Sequence, residues 1–214
     1  MDLKLDSVSV RFGALEALRA VTATFAAGTH TVICGRAGCG KTTLLKALAG
    51  LVHPDEGHVR WGDTDVAALD RWARREAQGA FGMVFQTDAL FDSMTVRGNV
   101  MLPLLKRGVP EDEATARCDE ALKRVGLTAA AEKRPEHLSG GMRKRTGIAR
   151  AIIAKPEVLF ADDPFAGLDP DTERSIAELL LEVSEGRTLI SALPDPYEPL
   201  SLGQTLVMSE GRFQ

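Results

Sequence analysis

Apolar residues near the start of the chain fall on roughly every second position. Leu3, Leu5, Val8 and Val10 alternate with polar residues, and 21–25 repeats the pattern, which predicts two strands separated by a turn at Gly13. An apolar run at 31–34 leads into a glycine-rich stretch, and helical spacing follows over 44–49. Residues 50–57 read as a turn, 58–61 as a short strand, 70–78 as a charged helix, and 81–85 as a buried strand ending at Gln86. From 87 to 154 the pattern turns helical, with helices predicted at 96–106, 111–125 and 139–153 and breaks at Pro103, 108–110, Gly126 and Pro135. Strands return at 157–161, 188–191 and 204–208, with a helix at 172–185. Strand, helix, strand is the order of a parallel sheet with helices on its faces, here interrupted by a helical insert.

The glycine-rich stretch carries the most specific chemistry. Residues 35–43 read Gly-Arg-Ala-Gly-Cys-Gly-Lys-Thr-Thr, which matches G-x-x-x-x-G-K-[ST] between a strand and a helix. Gly35, Gly38 and Gly40 let the backbone turn its N–H groups around a phosphate, and the helix adds the positive end of its dipole. Lys41 would reach the β- and γ-phosphates, Thr42 would place a hydroxyl on Mg²⁺, and Thr43 opens the helix beside it. A nucleotide site follows. Cys39 either fills its place as a small residue or is a thiol activated by the helix start and Lys41, which would make nucleotide binding sensitive to oxidation. Phe12, on the turn before the loop, either stacks on a base or fills the core.

Composition narrows the setting. A chain of 214 residues with 44% hydrophobic content can bury a proper core. Its net charge of -4 argues against nucleic acid as a partner, because phosphate contacts require a basic face. No apolar run approaches a membrane span and no signal pattern opens the sequence, so a cytoplasmic chain that reaches a membrane only through a partner is expected. Cys34, Cys39 and Cys118 form neither a metal-ligand spacing nor an even disulfide set.

Further along, 158–163 is an apolar strand ending in Asp162 and Asp163, where a parallel sheet presents ligand groups. Asp162 would hold Mg²⁺ there; the alternative for the two carboxylates is a plain helix cap. Ser139, Gly140 and Gly141 begin a helix and make a second anion site. Two such sites exceed what one nucleotide needs, unless two chains share two nucleotides. Arg143, Lys144 and Arg145 read as a solvated helix face.

With these pieces in order, the sequence resembles the ATPase subunit of an ABC transporter. The resemblance covers essentially the whole chain: a Walker A loop (35–43), a Q-loop glutamine (Gln86), an LSGGM signature (138–142), a Walker B strand (158–162) and a D-loop (166–169). It implies an α/β fold: a P-loop NTPase core with a mainly parallel sheet (1–86 and 155–214), an N-terminal antiparallel β subdomain and an inserted ABC helical subdomain (87–154), together one domain. ATP and Mg²⁺ are the implied cofactors, with Phe12 on adenine, Gly35 to Thr43 and a partner's Ser139, Gly140 and Gly141 around the phosphates, Thr42, Gln86 and Asp162 at the metal, and Lys41, Gln86 and Asp163 as catalytic groups. Membrane permease subunits and a second ATPase subunit, in a homodimer or heterodimer, are the implied partners. Two stretches, 85–100 and 138–145, resemble the subunits that drive Mla-type or Mce-linked phospholipid transport. They add a lipid-binding substrate protein to the expected partners.

Two departures from the family pattern bear on rate. Asp163 stands where the family carries its catalytic glutamate, and Pro194 stands where it carries its switch histidine. The expected outcome is slow turnover, with an intact signature that can still serve another subunit. A largely non-hydrolysing subunit and an importer ATPase for another small substrate are the alternatives. A soluble DNA-repair or translation switch is disfavoured by the absence of a long insertion or a second cassette.

Overall fold

The computed structural model describes residues 1–194 and 203–214, which divide into two compact units, 1–81 with 186–214 and 82–185. The insert expected from the sequence was narrower, 87–154; the second unit also takes in the strand and helix that follow it.

In the first unit, β1 (Leu3–Phe12), β2 (Leu15–Phe25), β4 (Glu56–Trp61) and β5 (Thr64–Asp65) form an antiparallel sheet in the order β2-β1-β4-β5. The strand β2 begins well before the predicted residue 21. Its buried residues Val21 and Phe25 keep the two-residue period, whereas Leu18 lies three from Val21, because the β1–β2 ladder shifts register between Leu5 and Val8, Val8 and Val10, and Val10 and Arg11. Each shift adds a residue and breaks the two-residue alternation. Ser7 and Ala20 adopt positive φ in these irregular stretches; the Ser9 hydroxyl accepts from the Ala20 amide, and the Thr22 hydroxyl accepts from that of Ser7.

The nucleotide-loop strand β3 (His30–Cys34) pairs in parallel with β8 (Thr188–Leu193) on one side and β9 (Gln204–Ser209) on the other; β10 (Arg212–Phe213) closes the edge antiparallel to β9. All six residues of β8 are buried, as expected for a parallel strand covered on both faces. Helices α1 (Lys41–Leu48) and α2 (Arg71–Ala77) complete the unit, α1 burying Leu44, Leu45, Ala47 and Leu48.

The second unit holds β6 (Phe81–Val84) from residue 82 on, beside β7 (Val158–Asp162), and the helices α3 (Val96–Leu105), α4 (Glu111–Arg124), α5 (Gly140–Ile152) and α6 (Pro170–Ser184). Pro103, expected to break a helix, lies inside α3. Its ring removes one backbone donor. The helix continues because Thr95 caps its start and Val96, Val100, Met101 and Leu104 bury one face, which outweighs the missing bond. Asn99 is fully buried on α3. Its Oδ1 accepts from the Phe91 amide at 2.7 Å, and its Nδ2 donates to the carbonyls of Phe91, Met94 and Thr95, which fixes the loop before the helix.

Cys118 is buried on α4, and burial pushes its thiol up to about 11, against the opposing pull of Arg97. Since only the thiolate attacks, about one molecule in a thousand carries the reactive form at pH 8. Native chain treated with iodoacetamide at that pH should therefore remain unmodified at Cys118, and urea should expose it; mass spectrometry reads both.

Candidate nucleotide site

The loop between β3 and α1 is shaped by what surrounds it. A Cβ at Gly35 would stand 2.2 Å from the Met208 carbonyl oxygen and 2.7 Å from Cys39 Sγ. Gly40 sits at φ +113 as the residue before α1, and a Cβ there would meet the Ala17 carbonyl at 2.5 Å. The β9–β10 hairpin braces the loop further, with the Gly211 amide donating to the Cys39 carbonyl at 2.9 Å. Gly35→Ala has no flexible neighbour to displace and is expected to cost more than about 2 kcal/mol, read from urea unfolding.

Lys41 is turned toward this loop. Its Nζ donates to the carbonyls of Gly35 at 2.5 Å and Arg36 at 3.0 Å and lies 3.8 Å from Cys39 Sγ. Phosphate oxygens entering the loop would compete for those same donors. Thr42 and Thr43 stand half-buried in the first turn of α1, with Gly38 in the turn before it, and Cys39 is buried. Phe12 is 53% exposed at the end of β1, which removes the core-filling reading.

In the second unit the acidic end of β7 behaves differently at its two carboxylates. Asp162 is 5% exposed. Asp163 lies at φ +41 and precedes Pro164. Left-handed backbone is uncommon outside glycine, with aspartate among the residues that tolerate it best, and a following proline disfavours the helical alternative. That turn brings Asp163 Oδ2 within 3.1 Å of Gln86 Nε2, which donates to it. The amide oxygen of Gln86 is the group left for a cation.

Ser139 caps α5, its hydroxyl accepting from the Met142 amide at 3.3 Å, and Gly140 and Gly141 form the first turn. A Cβ on Gly141 would meet Thr172 Cγ2 at 2.7 Å, so glycine is what lets α5 and α6 start so close together. Asp169 caps α6, accepting from the Thr172 amide and hydroxyl at 3.0 and 2.7 Å; these bonds hold its carboxyl below the usual range.

The cluster after Ser139 is not a solvated face, contrary to the sequence reading. Lys144 is 3% exposed, Arg145 bonds the Val125 carbonyl and Ser175 hydroxyl, and Arg143 bonds the Leu138 carbonyl. The residues that hold the loop after Gln86, namely Asp88, Lys144 and Arg150, were missed, because nothing in a helix's charge pattern marks which cation is buried.

The family profile described as ABC transporter matches residues 18–166. The chain belongs to the ABC transporter family. Among relatives, it is 40% identical over 195 residues to the methionine import ATP-binding protein MetN 1 of Paraburkholderia xenovorans (strain LB400), a match covering 89% of this chain and 57% of that protein. It is 37% identical over 215 residues to the spermidine/putrescine import ATP-binding protein PotA of Pseudomonas aeruginosa (strain UCBPP-PA14), covering 99% and 58%. The chain thus spans under two thirds of the length of these relatives. A solved dimeric ATP-binding cassette bound to ADP and Pi superposes with a TM-score of 0.87 at 28% identity, covering 99% of this chain and 96% of that one. The α/β cassette fold expected from the resemblance is the fold found.

As an ABC cassette the chain is of a family that binds ATP with Mg²⁺, and its donors suit that metal. Thr42 offers a hydroxyl, Gln86 an amide oxygen and Asp162 a carboxylate, all hard oxygen donors. Among the described residues no group of three or more His, Cys, Asp or Glu could hold a metal by itself. Mg²⁺ keeps several waters and takes oxygen ligands beside substrate phosphates, and oxygen is the donor type these residues offer. Among the same residues no helix is long and apolar enough to cross a membrane.

Proposed function

We propose that the chain is the ATP-binding and ATP-hydrolysing cassette of an ABC importer, driving a membrane permease as one half of an ATPase dimer. The observation that carries this reading is the contact between Gln86 Nε2 and Asp163 Oδ2, which sets a hydrogen-bonded pair at the end of the Walker B strand where an attacking water would need a base.

In this reading the amides of 35–41 and the Lys41 ammonium bind the β- and γ-phosphates, and Phe12 offers its exposed ring to the base. Thr42, Gln86 and Asp162 would hold Mg²⁺, which neutralises charge on the β- and γ-oxygens. The Asp163 carboxylate takes the proton of the attacking water, and the Gln86 amide keeps that carboxylate turned to one side. Ser139, Gly140 and Gly141 present their helix start to the nucleotide held by a partner subunit.

An importer of a small polar solute is favoured over phospholipid transport, since the relatives named above are described as importing methionine and polyamines, at 40% and 37% identity. The lipid resemblance rests on two short stretches, and a lipid-binding partner drops with it. The deciding experiment reconstitutes the chain with an ABC permease that it binds and follows nucleotide-dependent uptake of labelled methionine, spermidine and phospholipid. Movement of phospholipid alone would reverse the preference.

A second reading has its own support. Asp163 carries the carboxylate on an arm one methylene shorter than glutamate, and Pro194, exposed after β8, has no group to read a phosphate. A slow subunit lending its signature to a stronger partner fits both. Asp195, next to Pro194, lies outside the described residues.

A further inference from the structure

The loop after β6 is gripped by cations that α5 sends into it. Lys144 Nζ donates to the Gln86 carbonyl at 2.5 Å and stands 3.0 Å from Asp88 Oδ1. Arg150 donates to the carbonyls of Asp88 and Ala89 at 2.7 and 2.6 Å, and Arg143 Nε lies 3.7 Å from Asp88 Oδ2. Asp88 and Ala89 are consecutive non-glycine residues at φ +59 and +47. Such backbone persists only where its surroundings over-determine it, and it concentrates at switch regions.

The electrostatics of this cluster are shared rather than paired off. Asp88 Oδ1 is buried and receives no aligned hydrogen bond, although the Lys144 ammonium lies within ion-pair distance. Lys144 therefore aims its hydrogen bond at the Gln86 carbonyl while its charge offsets Asp88. A buried cation held this way tolerates loss of neither partner. The Gln86 side chain springs from that fixed carbonyl and reaches Asp163 Oδ2 at 3.1 Å. Arg143, on the same turn, also bonds the carbonyl of Leu138, the residue before Ser139. One polar network thus runs from the start of α5 to the carboxylate at the end of β7.

We propose that Lys144, with Asp88 as its counter-ion, is a positioning residue that fixes Gln86 against Asp163 and so links the first turn of α5 to the reacting carboxylate. The proposal rests on the reading of Gln86 and Asp163 given above. Lys144 acts through the backbone of Gln86 rather than on the reacting groups themselves.

The test uses the full chain and two independent readouts. In nucleotide-free protein, hydrogen exchange at the Asp88 and Ala89 amides should rise by about tenfold or more in Lys144→Met, because local opening no longer breaks the Lys144 contacts. In steady-state hydrolysis kcat should fall about tenfold with KM for Mg·ATP unchanged, as a small displacement of reacting groups does. Placed in a Gln86→Ala background, Lys144→Met should cost nothing further, since the two act as a unit. Full additivity of the two losses, or unchanged exchange and unchanged kcat in a folded Lys144→Met protein, overturns the proposal. If Lys144→Met does not fold, Asp88→Asn keeps the shape while removing the counter-charge, and the same comparison with Gln86→Ala decides. Failure of the underlying function is separable: turnover that survives Lys41→Ala would remove the ATPase reading, whereas turnover abolished by Lys41→Ala and untouched by Lys144→Met removes the positioning pair alone.

Discussion

Lys41→Ala should lose Mg·ATP binding by at least about a hundredfold in isothermal titration calorimetry, while the protein stays folded by circular dichroism. Hydrogen bonds from a charged donor contribute about 1.5 to 3 kcal/mol each, and in the proposed site Lys41 would meet two phosphates. Against this stands what the ammonium gives up, its bonds to the Gly35 and Arg36 carbonyls. Those acceptors are uncharged, so phosphate wins the exchange. The fold should survive because the loop keeps its brace from Gly211 and the packing that excludes a Cβ at Gly35 and Gly40. Unchanged binding by the variant would remove the loop from the site.

The loop itself was legible in the sequence for a simple reason. Its requirement is local, a set of residue types at fixed spacing between a strand and a helix, and nothing distant can supply it. The strands β7 and β8 were legible likewise, since burial on both faces leaves a mainly apolar run, broken in β8 only by the small polar Thr188 and Ser191. What escaped depended on partners far along the chain. Leu18 escapes the alternating pattern because β2 bulges between Leu18 and Val21, and Pro103 reads as a stop until the buried face of α3 is weighed against one lost bond. Lys144 looks like any surface lysine of a polar helix; only the fold puts the Gln86 carbonyl and Asp88 over it. Asp163 was picked out for its short side chain, yet its left-handed backbone carries no sequence signal beyond the proline that follows.

That backbone bears on the second large effect. Asp163→Glu combined with Pro194→His is expected to raise kcat by about tenfold or more over the wild-type chain, measured with the purified assembly at saturating Mg·ATP. Glutamate restores the missing methylene to the base, and histidine restores a donor for the transferring phosphate, the kind of contact whose loss is typically costly. Asp163→Glu alone should give less than the pair, because glutamate tolerates φ +41 less well than aspartate and must still meet the Gln86 amide from a longer arm. Wild-type turnover equal to that of the double variant would show that the aspartate, as the turn presents it, already reaches the water.

The staple made by Asn99 has a further consequence for association. Phe91 is half exposed on a loop whose backbone is tied to α3 through four bonds from one buried amide side chain. A partner helix that rests on Phe91 meets a loop ordered in advance. The entropy of arranging that segment, roughly 0.5 to 1.5 kcal/mol for each immobilised side chain, falls on folding rather than on the encounter. Docking there would be rigid-body recognition, its specificity set by the shape of the loop before any partner arrives.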